Sequence, residues 1–127
     1  MGREKIILGS LCEHIASGFL KKMGYKMLEA NFRTPFGEID LVARQKNFIV
    51  FLEIKTRATS SLGPPYLSVT KVKQRHLVKN ALYYIKRYDL VGIDWRIDIV
   101  SVKLNYAHEV ESIEIIENAV EDNNGYY

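Results

Sequence analysis

The chain has 127 residues, of which 47% are hydrophobic and 26% charged, proportions typical of one globular domain with a real core. The formal net charge of +3 permits nucleic-acid binding without requiring it, and the single cysteine, Cys12, excludes an intramolecular disulfide. The sequence contains no signal-peptide pattern and no apolar run near the roughly 20 residues of a membrane span, so we expect a cytoplasmic protein with no membrane partner.

The first predicted element is a helix over residues 4–24. Apolar side chains recur there at three- and four-residue spacing, and Gly24 follows as a C-terminal signal. The stripe predicted to face the core consists of Leu8, Leu11, Ile15, Phe19 and Met23. Glu13 lies roughly opposite that stripe on a helical wheel, so it is either solvated or facing a site that flanks the helix. Cys12 is expected to pack as a small buried hydrophobe.

Three strands are predicted next, at residues 25–32, 38–44 and 48–55. In the second strand Glu38 and Asp40 share one face, because side chains alternate along a strand. Ile39 and Leu41 are predicted to share the other face. The third strand begins with the continuous apolar run 48–52, which is typical of a central strand buried on both sides.

The rest of the chain predicts a loop at 58–66, a second helix at 69–88, and strands at 95–104 and 112–117. The inward stripe of the second helix is Leu77, Ala81, Tyr84, Ile85 and Tyr88. Asp98, in the fourth strand, is expected to form a structural pair with Arg96 or with a helix lysine. The order α-β-β-β-α-β plus a short terminal strand predicts an α/β fold with a mixed sheet flanked by helices, as one domain over 1–120 with a flexible tail at 121–127.

Charged side chains accumulate where the second and third strands face each other. If Lys46-Asn47 is a two-residue turn, residue i pairs with residue 93 − i, so that Asp40 faces Glu53. The same register places Glu38 opposite Lys55. Facing carboxylates beside a buried strand call for a cation, and oxygen ligands suit Mg²⁺ or Mn²⁺ rather than zinc. The alternative is a salt-bridge lattice on an exposed sheet face, which the spacing leaves open.

The sequence GEIDLVA at 37–43, followed by FLEIKTR at 51–57, resembles the YraN-like family, which is grouped with the PD-(D/E)xK nucleases. The resemblance runs from the first helix to residue 88 and, more weakly, to about residue 119. It implies a restriction-endonuclease-like core and a Mg²⁺-dependent endonuclease that cuts DNA, with branched or damaged DNA as a candidate substrate. It also suggests a homodimer. The alternative is a nucleic-acid-binding module that keeps the fold without cutting.

The resemblance also implies roles for individual residues. Asp40 and Glu53 hold the divalent ion, with the backbone carbonyl of Ile54 as a further ligand. Lys55 orients the attacking water or helps to deprotonate it, and stabilises negative charge on the phosphate. Glu13 corresponds to a glutamate on the first helix of the superfamily, which is a metal ligand directly or through water.

The second helix carries a basic stripe opposite its apolar side, formed by Lys71, Arg75, Lys79 and Lys86. Such a stripe is either a solvated face or a surface that follows the phosphates of a nucleic acid. Arg57 either contacts phosphate or caps the third strand. Glu38 is a secondary site candidate, and so are Lys73 and Gln74, because the resemblance places a Lys-Gln pair near the site at the start of this helix. Of these, Gln74 points towards the apolar side of the helix and therefore needs a hydrogen-bond partner.

Overall fold

The computed structural model of the protein describes residues 2–58 and 69–120, with side chains described from Cys12 onward. Apart from Ala58, the predicted loop at 58–66 therefore lies outside the described residues, as does the predicted tail at 121–127. No helix in the described part of the chain is long and apolar enough to cross a membrane.

The described residues form two helices and five strands in the predicted order. They are α1 (Gly2–Lys22), β1 (Lys26–Thr34), β2 (Gly37–Gln45), β3 (Phe48–Ala58), α2 (Lys71–Arg87), β4 (Trp95–Leu104) and β5 (Val110–Ile116). β4 has the predicted bounds, and β5 begins and ends slightly earlier than predicted. The mixed α/β architecture, with helices flanking a five-stranded sheet, is consistent with the expected restriction-endonuclease-like fold.

The five strands lie in the sheet in chain order, β1-β2-β3-β4-β5. β3 and β4 are parallel, and the other neighbouring pairs are antiparallel. Parallel neighbours require a crossover connection, and α2 lies between β3 and β4 in the chain. This arrangement confirms the predicted mixed sheet and makes β3 its central strand.

The two helices pack on opposite faces of this sheet. One apolar cluster contains buried residues of α2 together with Ile49 and Phe51 of β3. The other contains buried residues of α1 together with Val50 and Leu52. Because consecutive side chains of β3 enter the two clusters alternately, this strand is buried on both sides, as its continuous apolar run predicted.

The buried stripe of α1 is shifted by one position along the chain relative to the predicted stripe. Cys12, Ala16 and Leu20 are at most 2% exposed, whereas Met23 is 54% exposed and the predicted core residues Ile15 and Phe19 are only half-buried. Two of the three buried side chains are small, which lets the helix approach the sheet closely. The prediction for Cys12 is confirmed. The expected position of Glu13 is wrong, because Glu13 is half-buried next to the stripe and not opposite it.

α2 buries Leu77, Ala81, Tyr84 and Ile85 as predicted, while Tyr88 follows the helix as its C-cap and is 43% exposed. The predicted basic stripe of Lys71, Arg75, Lys79 and Lys86 is exposed. The helix begins after Thr70, whose side chain accepts a hydrogen bond from the Lys73 amide.

Asp98 of β4 is fully buried and carries out a structural role. Arg96 donates to it from Nε at 3.0 Å, and the hydroxyl of Tyr25 also donates at 3.0 Å. The backbone amide of Asn118 donates to the same carboxylate at 2.8 Å. The expected pair with Arg96 is confirmed, and these donors compensate for burying the charge.

Candidate functional site

The pairing of β2 with β3 follows the predicted register. The paired residues run from Gln45 with Phe48 to Leu41 with Leu52, so Lys46-Asn47 is a two-residue turn. Lys46 has a φ of 54°, as a tight hairpin turn requires. The pairing ends at Leu41, which is the chain neighbour of the candidate ligand Asp40. The next pair in the same register would be Asp40 with Glu53, and these two residues lie just beyond the observed pairing.

Asp40 belongs to the first part of β2, before Leu41, which does not pair with β3. Its Oδ2 atom accepts a hydrogen bond of 2.8 Å from the backbone amide of Ile54. Ile39 packs in the α2 cluster and Leu41 in the α1 cluster, so the prediction that they share a face is wrong. The strand leaves regular alternation here because it is no longer tied to β3.

Gly37 opens the acidic segment of β2 in a conformation that favours glycine, with a φ of 147°. A Cβ atom there would lie 3.5 Å from Nδ2 of Asn80, which is buried on α2. Asn80 also accepts a hydrogen bond from the hydroxyl of Thr34, the residue that pairs with Gly37 across the turn. A side chain of α2 therefore holds the turn that leads into Glu38 and Asp40.

Glu53 is 8% exposed, which does not fit a solvated salt-bridge lattice. Its Oε1 atom lies 3.1 Å from Nζ of Lys73 and 3.9 Å from Nζ of Lys55. Lys73 of α2 thus reaches the carboxylate that the sequence predicted as a metal ligand. A buried carboxylate beside two amines is suited to chemistry on a charged substrate.

The expected cross-strand pair of Glu38 with Lys55 is wrong. In the described part of the chain these two residues form no ion pair, and Lys55 instead lies beside Glu53. Glu38 is exposed and faces Arg33 of β1. The reason is that the pairing of β2 with β3 ends at Leu41, so more distant partners no longer face each other.

The electrostatic environment of Asp40 disfavours its charged form. Burial, followed by the charge of Glu53, raises the pKa of Asp40 to about 7. The hydrogen bond from Ile54 opposes this rise, and the charges of Glu13 and Glu38 make smaller contributions to it. A cation bound between Asp40 and Glu53 would relieve their repulsion.

The two lysines of the site shift each other's pKa in opposite directions. Burial and the neighbouring Lys73 lower the pKa of Lys55. The pKa of Lys73 is raised by its hydrogen bond to the Lys55 amine and also by the charge of Glu53. Lys55 is accordingly the amine that more readily gives up its proton, and Lys73 the one that keeps its charge.

Glu13 joins the site from α1. Its Oε1 atom accepts a hydrogen bond of 2.7 Å from Nδ2 of Asn31 on β1. A cavity of about 310 Å³ opens beside this pair, and its lining also includes Ser17 and Leu41. The sequence analysis missed Asn31, although asparagine within an alternating strand is a residue type that readily leaves the extended conformation.

The remaining candidates lie outside this group. Gln74 finds the partner it needs in the backbone carbonyl of Val69, at 3.2 Å. Arg57 lies near the end of β3, on the same side of the strand as Lys55 by strand periodicity, and lines a separate cavity of about 270 Å³ with residues of β4 and the following turn. Lys79 lies over the ring of Phe36, with Nζ 5.7 Å from the centroid.

The donor set fits a hard divalent ion. Among the side chains of residues 12–58 and 69–120, no three His, Cys, Asp or Glu residues converge closely enough to hold a metal by themselves. Asp40 and Glu53, whose charges interact, would offer two carboxylates, and Ile54 would add a backbone carbonyl. Mg²⁺ commonly takes one or two carboxylates and keeps several water ligands, so this oxygen-only set is adequate.

The sequence has many relatives of similar length. A family model described as "Uncharacterised protein family UPF0102" matches residues 12–102, a segment that contains Glu13, Asp40, Glu53 and Lys55. A UPF0102 protein of Caldicellulosiruptor saccharolyticus is 44% identical over 112 residues, which cover 88% of this chain and 95% of the relative. A second, from Thermodesulfovibrio yellowstonii, is 44% identical over 119 residues, covering 91% and 96%. A third, from Desulfosudis oleivorans, is 43% identical over 111 residues, covering 87% of each chain.

Proposed function

The chain belongs to the UPF0102 family, and from that premise and the geometry of its site we propose that it is a Mg²⁺-dependent endonuclease that hydrolyses phosphodiester bonds in DNA. The observation that carries the proposal is the buried Glu53 with Lys55 and Lys73 beside it, close enough to Asp40 for the two carboxylates to repel each other. Such repulsion costs stability, and arrangements of this kind persist where they serve a reaction.

The metal would be held by Asp40, Glu53 and the carbonyl of Ile54. When bound, Mg²⁺ or Mn²⁺ lowers the pKa of a water ligand and neutralises charge on the phosphate. Asp40 needs little reorganisation to serve as a ligand, because the Ile54 amide already fixes one of its oxygens.

Each lysine has a separate task in this proposal. Lys55, whose pKa is lowered, orients the attacking water and accepts its proton. Lys73 keeps its positive charge, holds Glu53 in place, and stabilises the negative charge that develops on the phosphate. The site then provides a proton acceptor and a fixed positive charge within one small region.

The nucleic acid would lie along the exposed basic face of α2. Lys71, Arg75 and Lys79 are exposed on the helix that also delivers Lys73 to the site. Phosphates bound along this face would run towards Glu53, and Arg57 would extend the contact near the end of β3. Binding of this kind weakens steeply as salt rises.

The proposal includes a cytoplasmic location and a homodimer. DNA is the substrate, so the enzyme acts in the compartment that holds it. Cutting both strands of a duplex in one binding event is achieved by two sites, which a pair of identical chains supplies. Light scattering of the purified protein at several concentrations measures the mass directly, and a monomer under all conditions with intact double-strand cutting would overturn the dimer.

One observation favours the alternative of a nucleic-acid-binding module that does not cut. Glu53 is already paired with Lys73 and lies near Lys55, and these amines would compete with a metal for its oxygens. A module of this kind would bind DNA through α2 and gain no stability from Mg²⁺.

The experiment is a cleavage panel of linear, flapped and four-way DNA in Mg²⁺ or Mn²⁺, with Asp40→Asn purified in parallel. We expect the wild type to cut at least one substrate and the variant to cut none. Equal cleavage by both proteins would reveal a contaminant and remove the assignment. Binding without cleavage, together with no stabilisation by Mg²⁺, would establish the non-cleaving module.

A further inference from the structure

Asn31 occupies an unusual backbone position beside the acidic group. Its φ is 53°, within a strand whose other residues are extended. The neighbouring pairs are Ala30 with Leu41 and Phe32 with Ile39, so Asn31 lies across from Asp40. Few residue types adopt the left-handed region, and a side chain there has a cost of order 1–3 kcal/mol.

The side chain of Asn31 uses this conformation to reach α1. Its Nδ2 atom donates to Oε1 of Glu13 at 2.7 Å, a short distance for a hydrogen bond to a charged acceptor. Because Asn31 lies across from Asp40 on the neighbouring strand, this hydrogen bond brings the Glu13 carboxylate to the same part of the sheet as Asp40.

We propose that Asn31 is a positioning residue that holds the Glu13 carboxylate beside Asp40, so that Glu13 supports the binding of Mg²⁺ through the water ligands of the ion. The cavity of about 310 Å³ that both residues line provides room for such water. This inference rests on the proposed function, since it assigns Asn31 a role in the same metal site.

A purely structural role explains the arrangement less well. Asn31 is exposed, and an exposed hydrogen bond contributes only about 0.5–1.5 kcal/mol to stability. A gain of that size roughly offsets the cost of the left-handed backbone, so the arrangement adds little net stability. Residues that hold a metal ligand in place commonly change metal affinity by tenfold or more when they are replaced.

The test measures how much Mg²⁺ affinity is lost on Glu13→Gln. The substitution is made in three proteins: the wild type, the Asn31→Gly variant and the Asn31→Asp variant. Both Asn31 variants tolerate a positive φ, and both remove the donor to Glu13. Affinity is obtained from the rise in the thermal midpoint with Mg²⁺ concentration, with EDTA samples giving the metal-free stability of each protein.

We expect Glu13→Gln to weaken Mg²⁺ binding roughly tenfold in the wild type and less than twofold when Asn31 is already replaced. Asn118→Gly is the matched control, because Asn118 also has a positive φ, of 49°, and lies outside the acidic group. It should leave Mg²⁺ affinity unchanged.

The proposal is overturned if Glu13→Gln lowers the Mg²⁺ affinity equally in all three proteins. It is also overturned if Glu13→Gln leaves the Mg²⁺ affinity of the wild type unchanged. Either Asn31 variant suffices for this comparison if the other does not melt cooperatively. A wild type that gains no stability from Mg²⁺ would instead remove the proposed function, and this inference with it.

Discussion

The carboxylate of Asp40 accepts a hydrogen bond of 2.8 Å from the backbone amide of Ile54, just beyond the last residue pair of β2 and β3. This side chain therefore takes the place of backbone pairing between the two strands. It also ties Asp40 to the residue that separates Glu53 from Lys55. The position of one candidate ligand is thus fixed by the backbone of the strand that carries the others, before any ion binds.

Asp40→Asn is expected to stabilise the metal-free protein, and more at pH 8 than at pH 4.5. Burial and Glu53 raise the pKa of Asp40 to about 7, from roughly 4 in the unfolded chain. A carboxyl group with a raised folded pKa costs stability that grows as the pH rises from its unfolded to its folded pKa. Above pH 7 the full cost, at most roughly 4 kcal/mol, is present.

Urea unfolding in EDTA at the two pH values measures this difference. Asparagine retains an oxygen that can accept the Ile54 amide, so the local structure should persist. Asp94→Asn, at an exposed aspartate, is the control and should show no such pH-dependent gain. An Asp40→Asn protein no more stable than wild type at pH 8 would contradict the electrostatic description of the site.

Lys55→Ala is expected to lower the cleavage rate by at least 10²-fold while leaving stabilisation by Mg²⁺ largely intact. The lysine acts on water and phosphate in the proposed reaction and does not hold the ion. Cleavage rates and thermal midpoints with Mg²⁺ measure the two properties separately. Loss of the Mg²⁺ effect in this variant would contradict the assigned role, and Lys26→Ala, at an exposed lysine of β1, provides the control.

Lys73→Ala is expected to affect cleavage more than stability. The Lys73 side chain is 41% exposed, so its ion pair with Glu53 contributes less than about 1 kcal/mol to folding. Its charge near the phosphate is lost in the variant, and we expect about a tenfold slower cleavage.

Lys71→Ala is the matched control for Lys73→Ala, because it removes an exposed lysine from the same helix. We expect it to weaken DNA binding and to reduce the salt dependence, without changing the rate at saturating DNA. Equal losses of rate at saturation in both variants would show that Lys73 acts only as part of the binding surface.

Gly37→Ala and Gly18→Ala are expected to change stability in opposite directions. Gly37 has a φ of 147°, which strains any side chain, so alanine should destabilise by about 1–3 kcal/mol. Gly18 lies in α1 with no atom within 4 Å of an added Cβ, so alanine should stabilise by about 0.5–1 kcal/mol. Urea unfolding measures both, and destabilisation by Gly18→Ala would contradict the open surroundings of that position.

The strands and their register were predictable because short-range rules determine them. The two-residue turn at Lys46-Asn47 and the apolar run of β3 were both visible in the sequence, and together they predicted the register that the two strands keep as far as Leu41 and Leu52. The sequence also marked α2 and its exposed basic face correctly. In each case the pattern concerns neighbouring residues, and packing did not override it.

The predictions were wrong or incomplete where contacts between distant parts of the chain determine which side chains are buried or paired. The buried face of α1 follows the small residues Cys12 and Ala16, because close approach to the sheet outweighed side-chain size. The predicted pair of Glu38 with Lys55 does not form, because β2 pairs with β3 only from Leu41 to Gln45. The hydrogen bond from Asn31 to Glu13 depends on how α1 lies against β1, which the spacing of residues does not reveal.

The location of Asp40 and Glu53 on one tight hairpin has a consequence for how the chain folds. A hairpin with a two-residue turn has a small loop-closure entropy and forms on a microsecond time scale. Lys73, which neutralises Glu53, arrives only when α2 docks. If this hairpin forms before α2 docks, Asp40 and Glu53 approach each other with only Lys55 as a counter-charge, so their repulsion slows refolding as well as lowering the final stability.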